Sequence, residues 1–229
     1  MLKDPPVLEI KRTWSRPNLD LLTRFDGAQS GHLVDAMSGR GGLSAAIKPL
    51  LPEAAHFIGT ALPVATGPND NLAILAGVAK ASPGDVIVAA SDSFEGSAVC
   101  GDIVAMLAKN AGCAGIVIDG MARDLIGIEG VGLPVFARGV TPNSCVKSGP
   151  GRVGFPIAIG DVPVAPGDIV MGDRDGVVIV PQARLDEVIA SVEAIRAAES
   201  KVIAEVEQGL TAFAAIEELL NSDRVTYVD

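Results

Sequence analysis

An arginine and an aspartate are adjacent at Arg123 and Asp124, at the end of the stretch GDIVAMLAKNAGCAGIVIDGMARD that begins at Gly101. The guanidinium of Arg123 could bind an anionic group through charge-assisted hydrogen bonds. The carboxylate of Asp124 could hold Mg²⁺ or Mn²⁺ if water and substrate oxygens supplied most of the other ligands. A simple salt bridge within a loop is the alternative, so the pair must be considered together with the elements around it.

Two predicted elements position this pair. Apolar residues at helical spacing after Gly101 predict a helix, and the apolar run from Ala114 to Ile118 predicts a buried strand. Free N–H groups at a helix start bind carboxylates or phosphates, and ligands of α/β proteins bind at loops that follow strands. Both ends of the stretch are therefore candidate walls of one site, although Gly101 alone is also explained as a permissive residue where a helix begins.

The composition and the order of the predicted elements indicate an α/β fold. Of the 229 residues, 48% are hydrophobic and only 3% are aromatic, which is typical of parallel or mixed sheets built from aliphatic residues. Further strands are predicted at 56–66, 86–90, 133–137, 169–171 and 177–180, and further helices at 19–25, 33–37, 69–81, 184–208 and 212–220. We expect residues 1–183 to form a core of mixed sheet and helices with an N-terminal arm, and residues 184–229 to form a C-terminal helical tail.

The tail contains a carboxylate at an unexpected position. Projected at about 100° per residue, the apolar residues between Leu185 and Val206 form one stripe, and Glu199 lies inside it. A carboxylate on a buried face requires a partner, a cation or a functional role. A structural ion pair with Arg196 or a cation is one explanation, and delivery of Glu199 into a site of its own or a neighbouring subunit is the other. Among the remaining carboxylates, Asp102 and Asp119 are also candidates for a base or for a supporting role near the Arg-Asp pair.

Several classes of function are disfavoured by composition and motifs. The net charge is −10 and no basic run is present, so we expect no nucleic-acid partner. No apolar run reaches membrane-spanning length, so we expect a cytoplasmic protein without a membrane partner. Cys100, Cys113 and Cys145 are too widely spaced for a CxxC metal site and are expected to be reduced. His32 and His56 form no zinc motif, and no P-loop, GxSxG or dinucleotide fingerprint occurs.

The stretch from Gly101 to Asp124, the downstream VAPGDIVMGDRDGVVIVP and the helical tail together resemble a known superfamily. It comprises class II pyruvate aldolases that cleave 4-hydroxy-4-methyl-2-oxoglutarate and 4-carboxy-4-hydroxy-2-oxoadipate, and their non-enzymatic relative, the regulator of ribonuclease E activity A. The resemblance covers roughly Pro17 to Glu207. Its motifs are specific for the superfamily but do not separate the enzymes from the regulators.

The resemblance implies a swivelling α/β/α domain that assembles as homotrimers, or as hexamers built from them, with sites between subunits. It implies that Arg123 binds the substrate and stabilises charge, that Asp124 is the direct ligand of Mg²⁺ or Mn²⁺, and that Glu199 is lent by the tail of a neighbouring subunit. It also implies a main-chain segment that holds the pyruvoyl carboxylate of a 2-oxo acid, consisting of Gly101, Asp102, Ile103 and Val104.

The implied activity is retro-aldol cleavage of a 4-hydroxy-2-oxo acid to release pyruvate, with decarboxylation of oxaloacetate as a second activity. The alternative is a non-catalytic regulatory or binding protein similar to the regulator of ribonuclease E activity A. That regulator resembles the shorter core, so the tail favours the enzyme. One departure from the aldolase pattern is visible: the residues from Leu125 to Ile128 separate the Arg-Asp pair from the next acidic residue, Glu129, whereas the aldolases usually carry one sooner.

Overall fold

The computed structural model describes residues 6–228 of the chain. The chain separates into two compact units, one ending at Val192 and the other beginning at Glu193. The first unit holds all the described strands, and the second holds the later part of one long helix and a short final helix. Within residues 6–228, no helix is both long and apolar enough to cross a membrane.

Short strands and helices alternate along most of the first unit. The fourteen strands within the described residues are β1 (Leu8–Ile10), β2 (Lys48–Pro49), β3 (Phe57–Ala65), β4 (Asp85–Ala90), β5 (Ala98–Cys100), β6 (Gly115–Ile118), β7 (Met121–Ala122), β8 (Val135–Ala137), β9 (Gly139–Val140), β10 (Gly151–Val153), β11 (Ile157–Ile159), β12 (Val162–Val164), β13 (Ile169–Gly172) and β14 (Val177–Val180). The α-helices are α1 (Ser30–Ala36), α2 (Leu72–Val78), α3 (Asp102–Asn110), α4 (Leu125–Val131), α5 (Leu185–Glu207) and α6 (Ala214–Leu220), and 3₁₀ helices lie at Leu19–Phe25, Pro52–Ala54 and Gln182–Arg184.

The main sheet is mixed, with four parallel strands at its centre. Strands β3, β4, β6 and β8 run parallel, and β2 pairs antiparallel with β8. On its other side, β3 pairs antiparallel with β13 over its first half and with β10 near its end. Strand β1 pairs in parallel with β10, and β14 pairs with β13. The predicted α/β fold with a mixed sheet is confirmed, and the N-terminal arm contributes a strand to that sheet.

Alternate residues of the central strands contribute to two separate cores. Ile87 and Ile116 pack with apolar residues of α2, α3 and α4. Val86 and Val117 belong to the opposite core, which the strands β11 to β14 also line. Burial on both faces explains why these strands have continuous apolar sequences. Residues of β13 and β14 also form a third core with α1 and the beginning of α5, so helices cover one face of the sheet directly and the other through β-strands.

A second sheet, formed by β5, β7 and β9, is parallel and very short. Its strands contain only two or three residues each. Strand β7 begins three residues after β6 ends, and β9 begins two residues after β8 ends. The small sheet therefore follows the carboxyl ends of the main parallel strands, which is the edge where α/β proteins bind ligands.

The long helix α5 is buried only near its beginning. Its apolar residues are buried as far as Val192. Further along, Val202, Ile203 and Val206 are 38%, 50% and 49% exposed, and Glu199 is also exposed. Glu199 therefore lies on the exposed part of the helix, where the apolar stripe continues beyond the residues that are buried.

Candidate functional site

The small sheet brings the start of α3 and the Arg-Asp pair together. In its register, Cys100 of β5 lies opposite Ala122 of β7. The amide of Arg123 donates a hydrogen bond to the carbonyl oxygen of Cys100 at 3.0 Å. Because both strands end at this point, Gly101 lies beside Arg123 and Asp124. The start of α3 and the Arg-Asp pair therefore lie side by side at the end of the small sheet.

Gly101 provides the space for this close approach. A Cβ atom added there would lie 2.7 Å from Oδ2 of Asp124 and 3.3 Å from Cγ of Arg123. The φ angle of Gly101 is −144°, which any residue can adopt, so space and not backbone conformation requires glycine here. The carboxylate of Asp124 therefore lies directly against the start of α3.

Gly101 has no side chain that could cap the first turn of α3. Asp102, the first residue of the helix, partly supplies the missing hydrogen bond. Oδ1 of Asp102 accepts a hydrogen bond from the amide of Ile103 at 2.7 Å. The same carboxylate lies close to α4, since a Cβ added to Gly127 would be 2.5 Å from Oδ2 of Asp102. Asp102 thus competes with any incoming anion for one of the main-chain donors in the segment that ends at Val104.

Arg123 and Asp124 form an ion pair that remains accessible. Nε of Arg123 is 3.1 Å from Oδ2 of Asp124, and the two side chains are 40% and 43% exposed. Nη1 of Arg123 donates to Oγ of Ser144 at 2.5 Å, which fixes the orientation of the guanidinium. Asp124 has a left-handed backbone, with φ 60° and ψ 46°, and its side chain does not cap α4. Such a backbone is uncommon for a residue other than glycine, and here it leaves the carboxylate available to a ligand.

These residues line a cavity of about 260 Å³. Asn71 is a buried residue of its lining. Its Nδ2 donates to the carbonyl oxygen of Val99 at 3.2 Å, while its Oδ1 is buried and has no hydrogen-bond partner among residues 6–228. An unpaired buried acceptor is unfavourable, and a hydroxyl group or water in the cavity would satisfy it. The other polar or charged groups of the lining are Cys100, Asp102, Arg123, Asp124, Ser144, Cys145 and Lys147.

Cys100 is the most deeply buried of these groups. Burial, and to a smaller extent the charges of Cys145, Asp102 and Asp124, raise the pKa of its thiol to about 12. The thiol is therefore protonated at neutral pH and is a poor nucleophile. Covalent chemistry through Cys100 is disfavoured, and the chemistry of the cavity resides in its charged groups.

The sequence model of the RraA-like family, described as Aldolase/RraA, matches residues 30–179. This range includes both walls of the cavity. The chain belongs to this family. The resemblance inferred from the sequence is thereby confirmed.

Relatives of this RraA-like chain include both named and uncharacterised proteins. A protein of Halalkalibacterium halodurans named "Putative 4-hydroxy-4-methyl-2-oxoglutarate aldolase" is 38% identical over 175 residues, which covers 76% of this chain and 83% of the relative. The crystal structure of an uncharacterized protein from Pseudomonas syringae matches this fold with a TM-score of 0.75 at 27% identity. The match covers 86% of this chain and 97% of that protein. The structure of the RNA-processing inhibitor RraA from Thermus thermophilis matches with a TM-score of 0.62 at 26% identity. This match covers 67% of this chain and 93% of that protein.

The donor set of the cavity fits a metal site with few protein ligands. Among residues 6–228, no cluster of three or more His, Cys, Asp or Glu side chains could hold an ion. A zinc site built from several such side chains is therefore a poor fit. A single carboxylate, Asp124, beside an open cavity fits Mg²⁺ or Mn²⁺, which can take most of their ligands from water and substrate. The close approach at Gly101 is consistent with this, because a side chain there would fill the space next to Oδ2 of Asp124.

Asp119, Asn71 and Ser144 have surroundings that the sequence did not reveal. Asp119 is only 4% exposed and accepts hydrogen bonds from the amide and hydroxyl of Ser91 and from the amide of Ser93, so it stabilises a loop and does not line the cavity. Conversely, Asn71 and Ser144 line the cavity but were not anticipated. The Gly- and Pro-rich sequence from residue 139 to 156 was the available signal for Ser144, because long connections of that kind often line sites.

Proposed function

We propose that the chain is a divalent-metal-dependent, class II aldolase that cleaves a 4-hydroxy-2-oxo acid similar to 4-hydroxy-4-methyl-2-oxoglutarate and releases pyruvate. Decarboxylation of oxaloacetate is the proposed second activity. The observation that carries the proposal is the close approach of Gly101, Arg123 and Asp124 beside one cavity. The name of the Halalkalibacterium halodurans relative supports the same class of reaction.

Each wall of the cavity has a proposed task. The main chain from Gly101 to Val104, at the positive end of α3, would bind the carboxylate of the 2-oxo acid. Asp124 would hold Mg²⁺ or Mn²⁺, which when bound supplies electrophilic stabilisation of negative charge at the 2-oxo group. Arg123, oriented by Ser144, would donate hydrogen bonds to the oxygen on which charge develops.

The reaction also requires a base for the 4-hydroxyl group. When the base removes that proton, the bond between C3 and C4 breaks, and its electron pair remains on the pyruvate enolate, which is then protonated at C3. Loss of carbon dioxide from oxaloacetate breaks the corresponding bond and produces the same enolate. Asp102 lines the cavity, but its Oδ1 already accepts from Ile103. We therefore propose Glu199 of a neighbouring subunit as the base and Asp102 as a supporting carboxylate.

This assignment requires a homotrimer or a hexamer in which the tail packs on a neighbour. The exposed apolar residues Val202, Ile203 and Val206 support it, because they are the continuation of a stripe that is buried earlier in the same helix. Mixing inactive Asp124→Ala chains with inactive Glu199→Gln chains tests it. A shared site predicts partial recovery of activity after subunit exchange, because some sites then combine two wild-type residues. No recovery after proven exchange would contradict a shared site.

The activity itself is tested by measuring pyruvate release from a panel of 4-hydroxy-2-oxo acids and from oxaloacetate. Protein freed of metal with a chelator is assayed alone and with added Mg²⁺ or Mn²⁺. We expect release only with the cation, and at least one 4-hydroxy-2-oxo acid should be cleaved. Absence of pyruvate from every compound with both cations would contradict the proposed function.

The similarity to the RNA-processing inhibitor RraA supports a second candidate, a non-catalytic binding protein. This candidate predicts no turnover of any 2-oxo acid, together with specific capture of a protein partner. The panel assay separates the two, since cation-dependent catalysis that is lost with Asp124→Ala is not expected of a binding protein.

A further inference from the structure

A larger cavity, of about 610 Å³, lies between the N-terminal arm and the segment that follows α2. It shares no residue with the cavity that Arg123 and Asp124 line. No described lining residue is acidic, and four of the eight are basic, in a chain with a net charge of −10. The lining consists of Ile10, Lys11, Arg12, Thr13, Trp14, Arg16, Lys80 and Ser82.

One wall of this arm cavity is anchored to the main sheet. Arg16 donates two hydrogen bonds to the carboxylate of Asp85, through Nε at 2.9 Å and Nη2 at 2.7 Å. Asp85 is fully buried and also accepts from Thr60 and from the amide of Ser82. The guanidinium of Arg16 lies over the ring of Trp14 at 4.6 Å, so the ion pair also holds the indole in place. The cavity thus has a fixed wall.

The other three basic residues have no such partner. Lys11, Arg12 and Lys80 are exposed, and none of them forms an ion pair with a carboxylate among residues 6–228. Three like charges around one concave surface repel one another and attract an anion. The cavity is therefore a locally positive region of an otherwise acidic protein.

Trp14 adds an independent observation. Its Nε1 atom is buried and has no hydrogen-bond acceptor within the described chain. Buried indole N–H groups usually find a partner, and an unpaired one is unfavourable. After a small shift of the indole, an oxygen atom of a ligand in the cavity could supply the acceptor that the described residues do not.

We propose that the arm cavity binds a small polyanion that carries phosphate or carboxylate groups. Arg12, Lys11 and Lys80 would neutralise its charge, and Nε1 of Trp14 would donate to one of its oxygens. The volume of about 610 Å³ is in the range of small-molecule sites and exceeds the need of a single inorganic ion. This binding site is independent of the proposed aldolase activity, because its residues do not line the other cavity.

The chain provides its own reporter, because Trp14 is its only tryptophan. Full-length protein is titrated with pyrophosphate and, separately, with citrate at constant ionic strength, while tryptophan emission and the heat of binding are recorded. We expect saturable binding of at least one of the two. Binding of pyrophosphate alone would assign a phosphate ligand, and binding of citrate alone would assign a carboxylate ligand.

Variants locate the bound anion. The double substitution Arg12→Gln with Lys80→Gln should weaken binding by about tenfold or more, because two charged donors are lost. Lys11→Gln with Arg12→Gln is a second variant, and Trp14→Phe, followed by calorimetry, removes only the N–H donor and should weaken binding less. Lys201→Gln, an exposed lysine of α5, is the matched control and should bind as the wild type does. Failure of both anions to bind, or equal binding by the double variants, would overturn the proposal.

Discussion

The four parallel strands at the centre of the main sheet differ from the small parallel sheet in length and in relation to the site. In the main sheet, all residues of β6 and all but the last of β4 are buried, and both faces of these strands pack on apolar cores. In the small sheet, β7 and β9 have two residues each, and Val140 of β9 is 47% exposed. Yet Gly101 and Arg123 directly follow strands of the small sheet.

This difference indicates that the main sheet determines the stability of the fold and that the small sheet determines the geometry of the site. Burial of apolar area makes the main sheet the major source of folding free energy, and two-residue strands contribute little of it. The small sheet instead sets the distance between two loop segments that would meet the substrate. Substitutions in the main sheet should therefore change stability with little effect on the chemistry of the folded protein. Substitutions beside the small sheet should change the chemistry with little effect on stability.

The largest effect should come from Asp124→Ala. We expect divalent-cation binding to be lost and kcat/KM to fall about a thousandfold or more, since a bound cation contributes several kcal/mol of transition-state stabilisation. The free energy of unfolding should change little, because this side chain is 43% exposed. Calorimetric titration with Mn²⁺, kinetics and urea unfolding measure the three quantities. Asp35→Ala, an exposed carboxylate on α1, is the control, and cation-dependent turnover in Asp124→Ala at the wild-type rate would contradict the site.

The corresponding change in the main sheet is Ile87→Ala. Ile87 is fully buried on β4, so its truncation should lower the free energy of unfolding by about 2–5 kcal/mol. The folded fraction should retain the wild-type kcat and cation affinity. Urea unfolding and kinetics at a temperature where the variant remains folded check both expectations. A large loss of kcat in fully folded protein would show that stability and site geometry are not separate here.

Arg123→Lys tests whether the guanidinium geometry of the site, and not only its charge, is required. Lysine keeps the charge but not the fork of donors that Arg123 directs towards Ser144 and Asp124. We expect kcat/KM to decrease about a hundredfold, as for the loss of a transition-state donor. Steady-state kinetics measure the effect, and Arg152→Lys, in an exposed ion pair with Glu9, should leave activity unchanged. Normal kinetics in Arg123→Lys would indicate a structural salt bridge only.

Gly101→Ala should have the smallest effect of the four. The added methyl group would lie 2.7 Å from Oδ2 of Asp124, so that carboxylate must move. We expect cation affinity to decrease about tenfold, the scale seen when the support of a metal ligand is disturbed. The melting temperature should barely change, because the backbone of Gly101 suits alanine. Gly31→Ala, where nothing lies within 4 Å of the added atom, is the matched control, and unchanged affinity in Gly101→Ala would contradict the close approach.

The contrast between the main sheet and the small sheet also explains which strands could be predicted from the sequence. The apolar runs that became β4, β6 and β8 were recognisable because both of their faces are buried. The strands β5, β7 and β9 were not, since two or three residues have no periodicity and their partners are distant in sequence. Helix α4 was also missed, because LIGIEGV contains two glycines, which lower helix propensity, and tertiary packing of Ile128 and Val131 stabilises it.

For the candidate site, residue types were more predictable than their detailed surroundings. Gly101, Arg123 and Asp124 could be named as candidates from a helix start, a strand end and the resemblance to the superfamily. The bond from Asp102 to the amide of Ile103 depends on one side-chain conformation, which no spacing reveals. A helical projection shows which face of α5 is apolar, but it does not show how far along the helix other residues cover that face, so it could not predict that Glu199 is exposed.

The hydrogen bond from the amide of Arg123 to the carbonyl oxygen of Cys100 has a further consequence. It joins the two walls of the cavity through main-chain atoms, which every residue except proline can supply at the donor position. Exchange of one small apolar residue for another along β5 and β7 therefore leaves this link between the walls in place. Such an arrangement tolerates genetic drift in its scaffold and lets selection act on the few groups in the cavity, so new substrate preferences can arise without a new fold.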